Sequence, residues 1–322
     1  MLSSLLSIYI ASSLNTSNQS PESYPLPSYA QNSMATPDIK LSSFFEKSKP
    51  PIKNPQQIAP IIEAEAAIVI DRTSGEILFE KDANERMGIA SITKLMTVLI
   101  VLEENELGEN VTISGNANNV EGSNMSLHTG EQISVESLIK GAIISSANDA
   151  AVALAEYNVR DINRDAIVPE NPYAAGTVGD FVNKMNKRAS ELGLENTHYS
   201  NPAGLDHPEN YSSAYDLAKL ANFIYNNKFI QNIAVIKETD VLSADGQYTH
   251  NLKTTNELLD SYLKVKGLKT GTTEGAGLCM VAVAENNEGH EIITVVLDSP
   301  ARFKESTILI DWIFRSYTWP EA

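Results

Sequence analysis

Between Ala66 and Glu80 the apolar positions fall into two short runs, Ala66-Ala67-Ile68-Val69-Ile70-Asp71 and Glu76-Ile77-Leu78-Phe79-Glu80, separated by Arg72-Thr73-Ser74-Gly75. Short apolar runs bounded by turn residues predict strands, and this spacing predicts a β-hairpin. A different pattern follows. Leu95-Met96-Thr97-Val98-Leu99-Ile100-Val101-Leu102 has no polar position except Thr97, which predicts a helix buried on every side. Helical spacing returns in SVESLIKGAIISSANDAAVALAEY, opened by Ser134 as N-cap, and in Gly179 to Leu192, preceded by Thr177-x-x-Asp180. Ser213-x-x-Asp216 opens a further helix, AYDLAKLANFIYNN. From Tyr262 the period shortens. Leu263-Lys264-Val265-Lys266 alternates, Leu278 to Ala284 and Glu291 to Leu297 read as apolar strands joined by Asn286-Asn287-Glu288-Gly289, and Phe303 to Phe314 closes as a helix. Strands at both ends around a helical middle imply an antiparallel sheet uniting the two chain ends, an α+β arrangement.

The first 60 residues lack this patterning. Met1 to Ala11 is apolar and uncharged, like the core of an export signal, but it has no basic flank and is too short to span a bilayer. An atypical export signal and a plain disordered terminus both fit. From about Ser12 to Pro60 the chain is rich in Ser, Asn, Pro and Gln, the composition of a tether. Residues 1–60 are therefore expected to be terminus and tether, and 61–322 a single catalytic-sized domain.

Charge and cysteine content narrow the classes. Lys+Arg 24 against Asp+Glu 41 gives a net charge of −17, which argues against nucleic acid or an anionic membrane surface as main partner. The five histidines show no helical metal-binding spacing, so no metal or cofactor is expected. One cysteine, Cys279, excludes an intrachain disulfide framework and reads as a buried thiol within a strand.

Three stretches carry chemistry. Ser91 and Lys94, in Ala90-Ser91-Ile92-Thr93-Lys94, sit three apart at the start of the buried helix and share a face. A partly desolvated lysine can take a serine proton, although an N-cap serine with a lysine in the first turn has the same spacing. Ser145-Ser146-Ala147-Asn148-Asp149-Ala150 interrupts an apolar helical region. Such residues weaken a helix interior, so the stretch is either a polar bend or a hydroxyl and a carboxamide held in a cleft. Lys269-Thr270-Gly271-Thr272 ends the Leu263 strand. A surface lysine on an edge strand is one reading; a lysine awaiting an anion, beside a glycine that admits close approach, is the other.

Together and in this order, Ser-x-x-Lys, Ser-x-Asn and Lys-Thr-Gly closely resemble the penicillin-recognising serine peptidases. The similarity is greatest to the low-molecular-mass D-alanyl-D-alanine carboxypeptidases of S11 type, and runs from about Ala64 to Tyr317. Gly122-Ser123-Asn124-Met125, Asn196-Thr197-His198, Gly204-Leu205-Asp206 and Thr273-Glu274-Gly275-Ala276-Gly277 resemble that family's connecting segments. The resemblance implies a β-lactamase/DD-peptidase-like fold and a carboxypeptidase that removes the terminal D-alanine of peptidoglycan pentapeptide stems. It implies Ser91 as nucleophile, Lys94 as base, Ser146 and Lys269 as proton relay, and Asn148 as the group positioning Lys94 and the substrate amide. Lys269, Thr270 and Thr272 would hold the terminal carboxylate, with Gly271 between them and the N–H groups of Ser91 and Thr272 as oxyanion hole. Expected partners are stem peptides, with β-lactams as covalent inhibitors. The expected location is outside the cytoplasm, secreted or held to the membrane only by an N-terminal anchor.

A D,D-endopeptidase of the same family is the alternative reading. A class A β-lactamase would need a glutamate four residues before an asparagine, and no Glu between Asn148 and Lys269 has that neighbour. A catalytically silent wall-binding protein would be expected to lack Ser91, Lys94 or Lys269. Two departures from the family pattern stand out: a long link from Asn158 to Val178, expected as an added loop, and no β-rich second domain after the last helix.

Overall fold

The fold is a computed structural model, and residues 48–160 and 178–320 are described. The chain opens with β1 (Ile52–Lys53), β2 (Ala66–Asp71), β3 (Ile77–Lys81) and β4 (Met87–Gly88). A 3₁₀ turn, Ala90–Thr93, leads into α1 (Lys94–Glu104). Then come β5 (Asn110–Thr112), α2 (Gly115–Asn118), β6 (Gln132–Ser134), α3 (Val135–Ile144), α4 (Asn148–Asn158) and α5 (Val178–Glu191). After these follow β7 (Tyr211–Ser212), α6 (Ala214–Tyr225), α7 (Lys228–Ile233), β8 (Glu238–Leu242) and β9 (Thr249–Lys253). The chain finishes with β10 (Lys264–Thr273), β11 (Gly277–Glu285), β12 (Glu291–Leu297), α8 (Arg302–Ser316) and β13 (Tyr317–Thr318).

The five-stranded sheet has the order β10-β11-β12-β2-β3, antiparallel throughout, so the two chain ends meet where Val295 pairs with Ile68 and Ile293 with Ile70. Successive strand side chains point to opposite faces. Ile68, Ile70, Val281, Val283, Ile293 and Val295 therefore face the helical core, while Val69, Met280, Ala282, Ile292 and Val296 pack with Leu309, Ile310 and Ile313 of α8. Covered on both faces, these strands read as continuous apolar runs. Lys94 to Val101 of α1 are all buried. Its one polar position in the apolar run, Thr97, donates to the carbonyl of Pro202 at 2.7 Å, which removes the cost of a buried hydroxyl.

Ser134 and Ser213 act as the expected N-caps, accepting the N–H of Ser137 and Asp216. Between α3 and α4 only Ser145–Ala147 are non-helical, with Asn148 and Asp149 opening α4. Pairing begins earlier than expected. Ile52 and Lys53 join Thr318 and Tyr317 in a two-stranded sheet, well before the start foreseen at Ile61. The signal-like terminus, the Thr177 capping signature and most of the 158–178 link lie outside the described residues. No helix among the described residues is long and apolar enough to cross a membrane.

Candidate active site

Ser91 lies in the 3₁₀ turn and Lys94 begins α1, so the pair shares the first turn of the buried helix. Lys94 Nζ is 2.8 Å from Ser91 Oγ, 2.7 Å from Asn148 Oδ1 and 2.6 Å from the carbonyl oxygen of Ala203. Asn148 Nδ2 donates to the carbonyl of Glu121 at 2.7 Å, which leaves Oδ1 to face the amine. Burial, then the charge of Lys269, drives the Lys94 amine well below its ordinary 10.5, against an opposing pull from Asp149. A neutral amine has two N–H hydrogens and one lone pair. Asn148 Oδ1 and the Ala203 carbonyl can only accept, so they take both hydrogens, and the lone pair is left for the Ser91 proton.

A second lysine sits opposite. Lys269 is 1% exposed, and its Nζ donates to Ser146 Oγ and to the Thr270 carbonyl, each at 2.8 Å. Burial, followed by the Arg302 charge, lowers its pKa to about 7. The surface-lysine reading of this stretch therefore fails, because the strand is covered. Ser146 holds φ 61°, a left-handed conformation that turns its hydroxyl from the α3–α4 break toward Lys269.

The backbones around Ser91 are closely fitted. A Cβ on Gly271 would stand 3.1 Å from Ser91 N and 2.9 Å from the Ile89 carbonyl oxygen, so β10 reaches Ser91 only as glycine. Gly204, at φ +83°, leaves no room at all: a Cβ there would lie 1.9 Å from the Ala90 carbonyl oxygen. Asn201 holds this turn, its Oδ1 accepting from Ala203, Gly204 and Leu205 at 3.2, 2.7 and 3.0 Å.

The two threonines differ. Thr272 is exposed, whereas Thr270 is buried with its hydroxyl 2.5 Å from that of Thr255. Arg302, the first residue of α8, donates from Nη1 to the Gly271 carbonyl at 2.7 Å and also bonds the Thr272 hydroxyl. Sequence reading missed Arg302, Asn201 and Thr255; only the packing of α8 over the sheet brings Arg302 to the Lys-Thr-Gly strand. Cys279, paired with Gly271 across β10 and β11, is buried, and burial raises its thiol to about 11. Among the described residues, no group of three or more His, Cys, Asp or Glu is placed to hold a metal ion.

Residues 53–301 match the family model described as D-alanyl-D-alanine carboxypeptidase. The chain is 35% identical over 262 residues to the D-alanyl-D-alanine carboxypeptidase DacF of Bacillus subtilis, covering 79% of this chain and 63% of the relative. It is also 35% identical over 277 residues to DacC of Escherichia coli, covering 80% and 63%. The chain thus spans under two thirds of the length of these relatives. Among solved structures it resembles the Streptomyces K15 DD-transpeptidase, with a TM-score of 0.70 and 30% identity over 80% of this chain and 99% of the other. A penicillin-binding protein homologue from Mycobacterium tuberculosis gives 0.71 at 26% identity, over 82% and 96%. With a family match over most of its length and relatives 35% identical over about four fifths of it, the chain belongs to the D-alanyl-D-alanine carboxypeptidase family of serine peptidases, S11.

Proposed function

We propose that the protein is a serine D-Ala-D-Ala carboxypeptidase acting on peptidoglycan stem pentapeptides through an acyl-enzyme. The observation that carries this reading is the hydrogen-bond count at Lys94, which leaves its lone pair for Ser91 and no other partner. Ser91 Oγ attacks the carbonyl of the terminal peptide bond while Lys94 takes its proton. The N–H groups of Ser91 and Thr272 receive the developing oxyanion, a contribution of about 3 kcal/mol per donor. Ser146, bonded to Lys269, hands a proton to the departing D-alanine. Thr272 and Arg302, with Lys269 behind them, hold the terminal carboxylate; Thr270 contributes less, because Thr255 already engages its hydroxyl. Water then releases the acyl group from Ser91. A substrate in the cell wall places the enzyme outside the cytoplasmic membrane, with β-lactams as acylating inhibitors and a catalytic unit that begins by Ile52.

Mass spectrometry of products from a purified pentapeptide stem tests the reading. Loss of one D-alanine, absent with Ser91→Ala, supports it; separation of two cross-linked stems, or transfer to an added amine without hydrolysis, would replace carboxypeptidase by endopeptidase or transpeptidase. Benzylpenicillin is expected to leave an adduct on Ser91 that lasts minutes or longer, visible by intact mass and missing in Ser91→Ala. Rapid penicillin turnover without an adduct would point to a β-lactamase instead.

A further inference from the structure

Glu131 and His250 form a buried pair beside the active site, and the chemistry above uses neither. The His250 ring projects from β9 with Nδ1 2.9 Å from the Met125 carbonyl oxygen and Nε2 2.6 Å from Glu131 Oε1. Glu131 Oε2 accepts the His128 N–H at 2.9 Å. Both atoms facing the ring are acceptors, and a neutral imidazole has a single N–H to offer. Both contacts therefore coexist only while the pair holds one additional proton, on the ring or on the carboxyl group.

Met125 links this pair to the base. Its N–H is received by both Asp149 oxygens at 3.0 Å, and the Leu127 N–H by Asp149 Oδ2 at 3.1 Å. The preceding residue, Asn148, donates from Nδ2 to the Glu121 carbonyl and from its backbone N–H to the Ser123 carbonyl, at 2.7 and 2.6 Å. Segment 121–127 is thus gripped by α4 on one side and by His250 on the other, and Asn148 Oδ1 faces Lys94. The titratable groups facing the ring are Glu131, Asp149 across Met125, and His128, whose ring centroid is 6.3 Å away and stacks on Tyr248 at 4.1 Å.

We propose that the proton shared by His250 and Glu131 holds Met125 in place and, through segment 121–127, positions Asn148 against Lys94 for acylation of Ser91. His250 and Glu131 are positioning residues in this scheme, which rests on the acyl-enzyme reading. Glu131→Gln is the discriminating variant. Its amide N–H can donate to the neutral ring at Nε2 and its oxygen can accept from His128, so every contact survives without the additional proton.

The test measures acylation of the full chain by a fluorescent penicillin from pH 6 to 10. The ratio of the Glu131→Gln rate constant to that of the wild type is expected to rise with pH by about tenfold, the size of one hydrogen bond, because only the wild-type contacts need an additional proton. His250→Leu is expected to acylate about tenfold more slowly, with the half-saturating penicillin concentration changed less than twofold. A ratio that stays flat across the range, or a His250→Leu variant with the wild-type rate, overturns the proposal. If His250→Leu does not fold, the Glu131→Gln ratio decides alone. A wild type that penicillin never labels overturns the acyl-enzyme reading itself, an outcome distinct from a labelled wild type with a flat ratio.

Discussion

Replacing Lys269 by methionine should make the protein more stable and less active, with the gain in stability confined to low pH. Lys269 has its pKa lowered from 10.5 to about 7, first by burial and then by Arg302. Below pH 7 the lysine is charged in both the folded and the unfolded chain, and the folded chain bears the whole cost of the buried charge. Between pH 7 and 10.5 the unfolded chain binds a proton that the folded chain has released, so wild-type stability rises with pH across that window. At about 1.36 kcal/mol per pH unit, the gap amounts to roughly 5 kcal/mol. Methionine fits the buried position but loses the bonds to Ser146 and Thr270, at about 1 kcal/mol each, which leaves a net gain of roughly 2–3 kcal/mol at pH 6. For a domain of this size that is about 5–10 °C in melting temperature. Melting both proteins from pH 6 to 10 isolates Lys269, because other titrating groups cancel in the difference. A variant that melts no higher than wild type at pH 6, or an advantage that persists unchanged at pH 10, would refute the reasoning.

Kinetics should separate the two lysines. Lys94→Ala is expected to lose 10²-fold or more in kcat on a pentapeptide, whereas Lys269→Ala should act mainly on KM with a smaller fall in kcat; equal losses at saturating substrate would mean that the two act as one unit. Arg302→Gln should raise KM about tenfold for a peptide with a free terminal carboxylate and leave an amide-capped peptide unaffected, as steady-state assays on the two peptides would show. Gly204→Ala should cost roughly 3 kcal/mol or more and abolish penicillin labelling, because its Cβ would collide with the Ala90 carbonyl; denaturant melts and gel fluorescence read both effects.

The candidate catalytic side chains were legible because three motifs in order resemble those of one family, whereas each stretch alone also admitted an ordinary structural reading. A lysine at the head of an all-apolar helix and polar residues breaking another helix stood out from their surroundings; the burial of Lys269 did not, and the structure brings Ser91, Lys94, Ser146, Asn148 and Lys269 into one constellation. The short apolar runs likewise gave the sheet and its antiparallel closure. Other parts left no such mark. The Ala203 acceptor of Lys94 is a backbone carbonyl, which any residue type supplies, and it lies 109 positions away. Arg302 is 31 positions from Gly271 and stands at an ordinary helix start. The β8–β9 hairpin went unread because its strands are mostly polar on the outer face, with Val241, His250 and Leu252 as the buried positions; the Asp245-Gly246 turn was its available signal.

On the proposed mechanism, two buried lysines that act on one another would activate a serine without a histidine. A charge on Lys269 lowers Lys94 further, so the base is most readily neutral when its neighbour is protonated. With a pKa of about 7, Lys269 sits near the point where a nearby anion decides its state. A carboxylate held at Thr272 and Arg302 favours the charged form of Lys269, because an opposite charge within a few ångströms raises a lysine pKa. A substrate ending in a carboxylate would thereby strengthen the push that keeps Lys94 neutral. A peptide without that carboxylate would leave Lys269 free to lose its proton near neutral pH, and the push on Lys94 with it. On that mechanism, recognition of a terminal carboxylate and activation of Ser91 would be two readings of one proton balance. That balance depends on the strand carrying Lys269 passing close beside Ser91, which the missing side chain of Gly271 allows.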